Sequence, residues 1–518
     1  MIYKKDKNNL TKIDINDERS VRLNHLSIIK EAGINPYPEK FYRRHTASQV
    51  NLMKDKNLLR TGEDVQISPK KTVSIAGRII TLRRHGKIIF SDIQDSTGRT
   101  QVCFKEDIID KKHFSLLLNQ IDSGDFIGIT GEPFITKQGK LAVLCIKYVF
   151  LGKSLRPFPG KFYGFDDIEK RYRQRYLDTV INTDVFQSFI VRSRLVQGMR
   201  EWLLKHKFIE INTRILQPQE GGAAAKPFKT HHNALDYDFV LRISPELDLK
   251  MAIIGGFERV FEFAINFRNE GIDPSHLQEF QMLEWYCAYE NFERGMQWTE
   301  EILKYSVQRA LGSSVFIVHD RKGNKCEINI GSDYRKIEFS ELLKEYGIDI
   351  FSSKDELISL AIHNGFEKKE VMKRSRGNLL DDIYKKLIRP NIIQPTFITH
   401  YPSDLLPLAR QNDFKPELAD SYQLVIASWE IVKGYSELVD PISQRCSLEK
   451  QAQAREMGDD EAMIVNEEYL IAMEHGMPPV TGCGIGIDRL AALINGQKNL
   501  RDLVFFPLLK PEKDYDYI

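Results

Sequence analysis

Several things are scarce in this chain. Its six cysteines are scattered along 518 residues, and no two stand at CxxC spacing. That excludes a zinc knuckle or a redox dithiol of the usual kind and predicts reduced thiols in a cytoplasmic protein. No run approaches the roughly 20 apolar residues of a membrane helix, so no membrane partner is expected. The opening MIYKKDKNNL is polar with no apolar segment behind it, which predicts no secretory signal. Net charge is only +2, so no global field draws the chain onto a polyanion. Any nucleic-acid contact must come from a local basic face. Neither a GxGxxG nor a P-loop run occurs, which removes the two commonest phosphate-cradling signatures.

What remains is an ordinary globular composition, 42% hydrophobic and 28% charged, long enough for one to four domains. Residues 1–70 read as a charged N-terminal extension with weak helical periodicity over 21–31. Over 71–153 the pattern changes to short β runs divided by turns at Gly86-Lys87, Ser96-Thr97-Gly98 and Gly139. Five strands with one helix-like insertion predict a small barrel. Arg78, Arg83, Arg84, His85 and Lys87 cluster on its first two strands, with Phe90 close behind. Cations that track phosphate beside a ring that stacks on a base suit single-stranded nucleic acid. A solvated edge strand fits the same residues equally well.

The Pro-, Gly- and aromatic-rich run LRPFPGKFYGFDD opens a linker over 154–180. A larger domain of strands and helices without a βαβ repeat follows over 181–518, with a charged helical insertion at about 337–390. Three clusters there mix charge with apolar strand residues. The first is FRNEGIDPSHLQEF, in which Arg268 and Glu270 follow an apolar strand run and Phe280 closes the loop. The second is a set of carboxylates at element ends: Glu246, Glu284 (with Tyr286), Glu430 and Glu437. The third is Arg489, after Gly482, Gly484 and Gly486. Two arginines about one site suit a polyphosphate, because guanidinium stays charged when desolvated and matches phosphate oxygens in pairs. Carboxylates in that site call for cations, either a divalent metal or a cationic substrate. Each fragment alone reads as a surface loop or a helix start; three together do not.

These runs, with GGAAAKPFKTHHNALD, RISPELDLK, EFQMLEWYCAY, IIQPTFITHYP, GYSELVDP, GDDEAM and GIGIDRL, resemble the class II aminoacyl-tRNA synthetases, and within them the lysyl-tRNA synthetases. The resemblance implies an α+β protein: an N-terminal OB-fold β-barrel that binds the anticodon, then a catalytic domain with an antiparallel sheet flanked by helices. It implies ATP-dependent activation of L-lysine to the adenylate, with pyrophosphate release, and transfer to the 3′ end of tRNA(Lys). It further implies a cytoplasmic homodimer that uses Mg²⁺, up to three ions with ATP. Arg268 would bind the α-phosphate and the substrate carboxylate, Glu270 the adenine amino group, Phe280 the ring, His276 the outer phosphates and Arg489 the γ-phosphate. Gly222 and Glu246 would take the α-amino group, and Glu284, Tyr286 and Glu437 the ε-ammonium. Glu430 and Gln423 would hold metal; Arg83, Phe90 and Gln101 would read the anticodon.

Five positions depart from the pattern. Arg214 replaces the usual motif 1 proline, Gln423 a metal-binding carboxylate and Lys433 an asparagine near the substrate carboxylate. Leu277-Gln278 stands for Asn-Pro in the motif 2 loop, and Lys140 for an anticodon-reading glutamate. A sister enzyme for aspartate or asparagine is the nearest rival, but its pocket needs cations where this one offers three carboxylates.

Overall fold

The computed structural model describes residues 17–53, 72–158, 167–319, 324–457 and 462–511, in two compact units divided between Gly164 and Phe165. In the first unit, β1 (Val73–His85), β2 (Ile88–Asp95), β3 (Gly98–Lys105), β4 (Phe126–Ile135) and β5 (Leu141–Gly152) close into a barrel in the order β1-β2-β3-β5-β4. Strand alternation makes the interior: Ile75, Ile89, Ile93, Val102, Phe104 and Ile129 are buried together. The helix-like insertion is the helix Lys111–Gln120, which Asp110 caps. Within the N-terminal extension, the helix Glu18–Glu31 starts at Asp17, whose carboxylate accepts the backbone N–H of Arg19 and Ser20. Its buried Arg22 donates to the carbonyls of Ser123 at 3.0 Å and Ser154 at 3.3 Å, which ties the helix to the barrel.

The second unit centres on an eight-stranded sheet, in the order β14-β15-β16-β17-β18-β11-β10-β6. Its strands are β6 (Ile209–Glu210), β10 (Arg259–Phe267), β11 (Glu279–Ala288), β14 (Arg335–Glu338), β15 (Thr396–Thr399), β16 (Ser421–Ile426), β17 (Trp429–Ser436) and β18 (Val480–Gly486). All pairings are antiparallel except β6 with β10 and β14 with β15. A three-stranded sheet of β7 (Leu216–Gln217), β8 (Lys229–His232) and β9 (Tyr237–Leu241) and a hairpin of β12 (Val315–His319) and β13 (Lys325–Asn329) complete the strands. On one face of the large sheet Leu283, Trp285 and Ile485 pack under the helices Thr183–Lys205 and Phe292–Leu311, which bring Met199, Trp202 and Trp298. The period of two then forces Glu284, Tyr286, Gly482 and Gly484 onto the other face.

Residues 168–181, read as the end of the linker, form two short helices instead. Arg175 explains them: fully buried, it pairs with Asp178 at 2.7 Å and donates to the carbonyl of Arg501 at 2.8 Å. The insertion between β14 and β15 is helical, with its own core around Phe339, Leu342, Leu380 and Tyr384 and a π-helical turn at Tyr384–Ile388. Part of the GDDEAM run, 458–461, lies outside the described residues, as do 1–16, 54–71 and 159–166 of the expected extension and linker.

Candidate active site

A cavity of about 670 Å³ opens on the face of the large sheet away from the two long helices. Its floor is β18. Gly482 is paired with Tyr286 on β11 and Tyr435 on β17; Gly484 is paired with Glu284 and Lys433. A Cβ at Gly482 would stand 2.3 Å from the Tyr286 ring, and one at Gly484 2.6 Å from the Met282 methyl. The glycines therefore leave a trough, walled by the side chains of the neighbouring strands.

One wall is acidic. Glu246 opens the helix Glu246–Ile254, Glu284 lies on β11 and Glu437 follows β17; all three are buried and line the cavity. The Glu284 carboxylate accepts from Ser244 and from the Tyr286 hydroxyl, each at 3.0 Å. Burial, with Glu246 nearby, pushes its carboxyl up to about 8. Glu246 accepts from Tyr435 at 2.7 Å and from Lys250 at 2.6 Å. Lys250 has no exposed surface, and its ammonium also pairs with Glu437. Three tyrosine rings, of Tyr286, Tyr435 and Tyr469, lie 5.6–6.0 Å from that nitrogen. Burial would strip Lys250 of its proton, but Glu246 and Glu437 outweigh it and hold the ammonium charged. Burial also pushes the Glu437 carboxyl upward, with Lys250 opposing. Apart from the Lys250 ammonium, no donor reaches either Glu437 oxygen among the described residues. A buried carboxylate with open lone pairs, facing a cavity, is a seat for a cation. Gly222, at φ +80°, brings its backbone against Ser244 and Glu246, and a Cβ there would stand 3.0 Å from that of Glu246.

The other end is cationic. Arg268, at the end of β10, lies 5.0 Å over the Phe280 ring and reaches the carbonyl of Ile243 at 3.4 Å. Arg489, one residue into the turn after Asp488, donates to the carbonyl of Glu430 at 3.2 Å and lies 3.4 Å from His276. Asp488 is held by Arg192 at 2.8 Å and by the Gln281 N–H at 2.6 Å, which fixes the start of the helix Ile487–Ile494. Among the described residues neither Arg268 nor Arg489 makes an ion pair with a carboxylate, so both charges are available to a ligand. His276 sits on the loop between β10 and β11, oriented by Asp273 at 2.7 Å, and Glu270 lines the same end.

Glu430 owes its place to a β-bulge. Gln423 is paired with Lys433 and Leu424 with Val432, but Val425 is paired with Glu430. Ile431 is the extra residue, so Glu430 joins Gln423 and Lys433 on the cavity face. Burial would raise the Glu430 carboxyl, yet Arg489, Lys433, Arg389 and Lys385 together hold it below the ordinary range. Among the described residues no group of three or more His, Cys, Asp or Glu side chains forms a metal cage. Glu430 suits a Mg²⁺ that arrives on a polyphosphate, since such ions take one or two carboxylates and several waters. Gln423 suits it poorly: its carbonyl oxygen already accepts the Tyr401 hydroxyl at 2.6 Å.

Twelve expected residues thus meet in one cavity: Gly222, Glu246, Arg268, Glu270, His276 and Phe280 with Glu284, Tyr286, Gln423, Glu430, Glu437 and Arg489. Arg83, Phe90 and Gln101 share one outer face of the barrel, where Arg83 is paired with Phe90 and Asp92 with Gln101. Arg83 is held by Asp92 at 2.9 Å. Lys140 is exposed at the turn before β5. Sequence reasoning missed Lys250, and also the insertion residues Arg389 and Lys385 beside Glu430. For Lys250 one signal existed, the Glu246–Lys250 spacing of four on a helix, which reads as a surface pair.

The tRNA synthetases class II (D, K and N) match residues 167–510, and the OB-fold nucleic acid binding domain matches residues 73–151. The chain belongs to the class II tRNA synthetases. Within this family it is 40% identical to a lysine–tRNA ligase of Carboxydothermus hydrogenoformans over 501 residues, covering 96% of this chain and 99% of that protein. It is also 40% identical to a lysine–tRNA ligase of Pasteurella multocida (96% and 98% covered) and 37% identical to one of Lactococcus lactis (96% and 99%). The family membership accounts for both units, the closed barrel and the synthetase sheet. Arg214, the motif 1 departure, is a tie in this fold: it pairs with Asp248 at 2.7 Å and Glu468 at 3.1 Å.

Proposed function

We propose that the chain is a lysine–tRNA ligase whose second unit activates L-lysine with ATP and whose barrel reads the anticodon of tRNA(Lys). The observation that carries the amino-acid choice is Glu437, buried beside Glu284 and Glu246 with the Lys250 ammonium as the one donor at its oxygens among the described residues. A pocket with three carboxylates rejects an aspartate side chain by repulsion and an apolar one by leaving charge unpaired.

In this reading Glu437, Glu284 and Tyr286 take the ε-ammonium, and Glu246 with the Gly222 backbone takes the α-amino group. Arg268 holds the substrate carboxylate against the α-phosphate, and its fixed charge stabilises the oxygens as the carboxylate attacks in line and pyrophosphate leaves. Phe280 stacks on the adenine, Glu270 accepts from its amino group, and Arg489 with His276 holds the outer phosphates. Positioning and charge do the work, and no side-chain nucleophile is required. Mg²⁺, held through Glu430, would supply Lewis-acid charge to the phosphates. The terminal ribose hydroxyl of the tRNA then attacks the lysyl carbonyl, forming the ester as the mixed anhydride breaks and AMP and a proton leave.

Homodimer formation is supported by exposed apolar groups at the edge of the large sheet and beside it: Ile209, Ile215, Leu216 and Phe257. A cytoplasmic setting is supported by the described cysteines, which are all free. Among the described residues no helix is long and apolar enough to cross a membrane. ATP–pyrophosphate exchange measured with each amino acid in turn tests the assignment. Stimulation by lysine alone is expected; stimulation by aspartate or asparagine overturns it.

A further inference from the structure

The phosphate end of the cavity carries more fixed positive charge, and fewer metal donors, than a site that relies on several divalent ions requires. The bulge at Ile431 puts Glu430, Gln423 and Lys433 on one face, with Gln423 and Lys433 directly opposite each other across β16 and β17. Gln423 is 6% exposed, uncharged, and has a lone pair committed to Tyr401. The Arg389 guanidinium approaches the Glu430 carboxylate to 3.8 Å, and Lys433 and Lys385 line the same cavity. Two further carboxylates near this end are engaged: Asp381 pairs with Lys385 at 2.6 Å and Asp488 with Arg192 at 2.8 Å, whereas Glu270 and Asp404 line the cavity.

Mg²⁺ demands hard anionic oxygens in near-octahedral array and gives up its waters reluctantly. A neutral amide with an ammonium opposite it is a poor second seat, whereas a lysine ammonium binds phosphate as a point charge with no coordination geometry to satisfy. We propose that this end neutralises a nucleoside triphosphate chiefly with side-chain cations, Lys433 foremost and Arg389 from the insertion beside it, and holds one divalent ion at Glu430. Lys433 is then a phosphate-binding residue of the activation reaction. The inference rests on the reading of the cavity as the ATP seat.

The test uses the full chain with L-lysine and a non-hydrolysable ATP analogue, and counts bound Mn²⁺ per site by electron paramagnetic resonance. One ion per site is expected in the wild type, and two in the double variant Gln423→Glu with Lys433→Asn. Two or more ions in the wild type overturn the proposal, as does a count of one in a double variant that still binds the analogue. With all divalent ions chelated, the wild type should retain measurable analogue binding. Lys433→Asn should weaken that metal-free binding by about tenfold, the loss of one charge-assisted contact. Equal metal-free affinity in the two proteins removes Lys433 from the phosphate site. Failure of the analogue to bind the wild type at any Mn²⁺ concentration overturns the nucleotide assignment itself, whereas binding with several ions overturns only this inference.

Discussion

At the Glu284 end of the cavity stand three buried carboxylates and one internal ammonium, Lys250, which pairs with Glu246 and Glu437. At the Glu430 end four cations, Arg489, Lys433, Arg389 and Lys385, act on the Glu430 carboxylate. If all groups are ionised, the first end is short of positive charge by two, which is the number of ammonium groups on a lysine zwitterion. The second end has positive charge to spare, which suits a triphosphate. Each end is electrostatically incomplete in the sense that its proposed ligand completes, and the trough of β18 glycines joins them. The difference teaches that specificity here is a matter of unfinished charge more than of shape.

The comparison breaks most sharply at Arg268. Arg268→Ala should lower lysine-dependent pyrophosphate exchange by about 10²–10³-fold, as loss of a preorganised donor at a developing charge does. An exchange rate within a few fold of wild type would show that the cationic end does not act on the α-phosphate. Next comes Lys250. Lys250→Met leaves Glu246 and Glu437 buried without their cation and should destabilise the fold by about 3–5 kcal/mol, read by urea denaturation. A midpoint near that of wild type would mean that the carboxylates take up protons instead, and the charge count above would fail.

Acidity sharpens the same contrast. Glu284 titrates at about 8 in the fold, above the ordinary carboxyl value of 4.5, so the folded state holds a proton there that the unfolded chain has lost. Stability from this group is therefore full below the ordinary value and declines as pH rises toward 8. An arriving ammonium favours the ionised carboxylate, so KM for lysine should fall over that same range and level off above it. In Glu284→Gln the slope should flatten, while KM for ATP should show little of it in either protein. The smallest effect lies outside both ends. Phe90→Ala should leave pyrophosphate exchange unchanged and cost about 1–3 kcal/mol in tRNA binding, measured as KM for tRNA(Lys) in charging assays. Loss of exchange in that variant would contradict the division of labour between the units.

Much of this was legible in the residues. Turns at regular spacing marked the barrel, and the alternation of Leu283, Glu284, Trp285 and Tyr286 marked a strand with one apolar and one functional face. The runs around Arg268, Glu437 and Arg489 pointed to one site before any contact was known. What stayed hidden depended on long-range placement. Lys250 lies on a helix at a spacing that surface ion pairs use, and only the approach of Glu437 from beyond β17 makes it internal. Arg389 and Lys385 belong to an insertion whose relation to Glu430 no local pattern states. The helices over 168–181 were masked by neighbouring Pro and Gly, because Arg175 finds its partner carbonyl at Arg501, far along the chain.

The extra residue at Ile431 sets a parity. With it, the count of positions from Glu430 to Glu437 lets one acid serve the phosphate end and the other the amine end from the same side of the sheet. Were Ile431 drawn into the ladder as an ordinary strand residue, Glu430 would share a face with Val432 and enter the layer beneath the long helices, beside Leu424. Deletion of Ile431 removes the bulge and the odd residue together and should accordingly leave Glu430 and Glu437 on the same face.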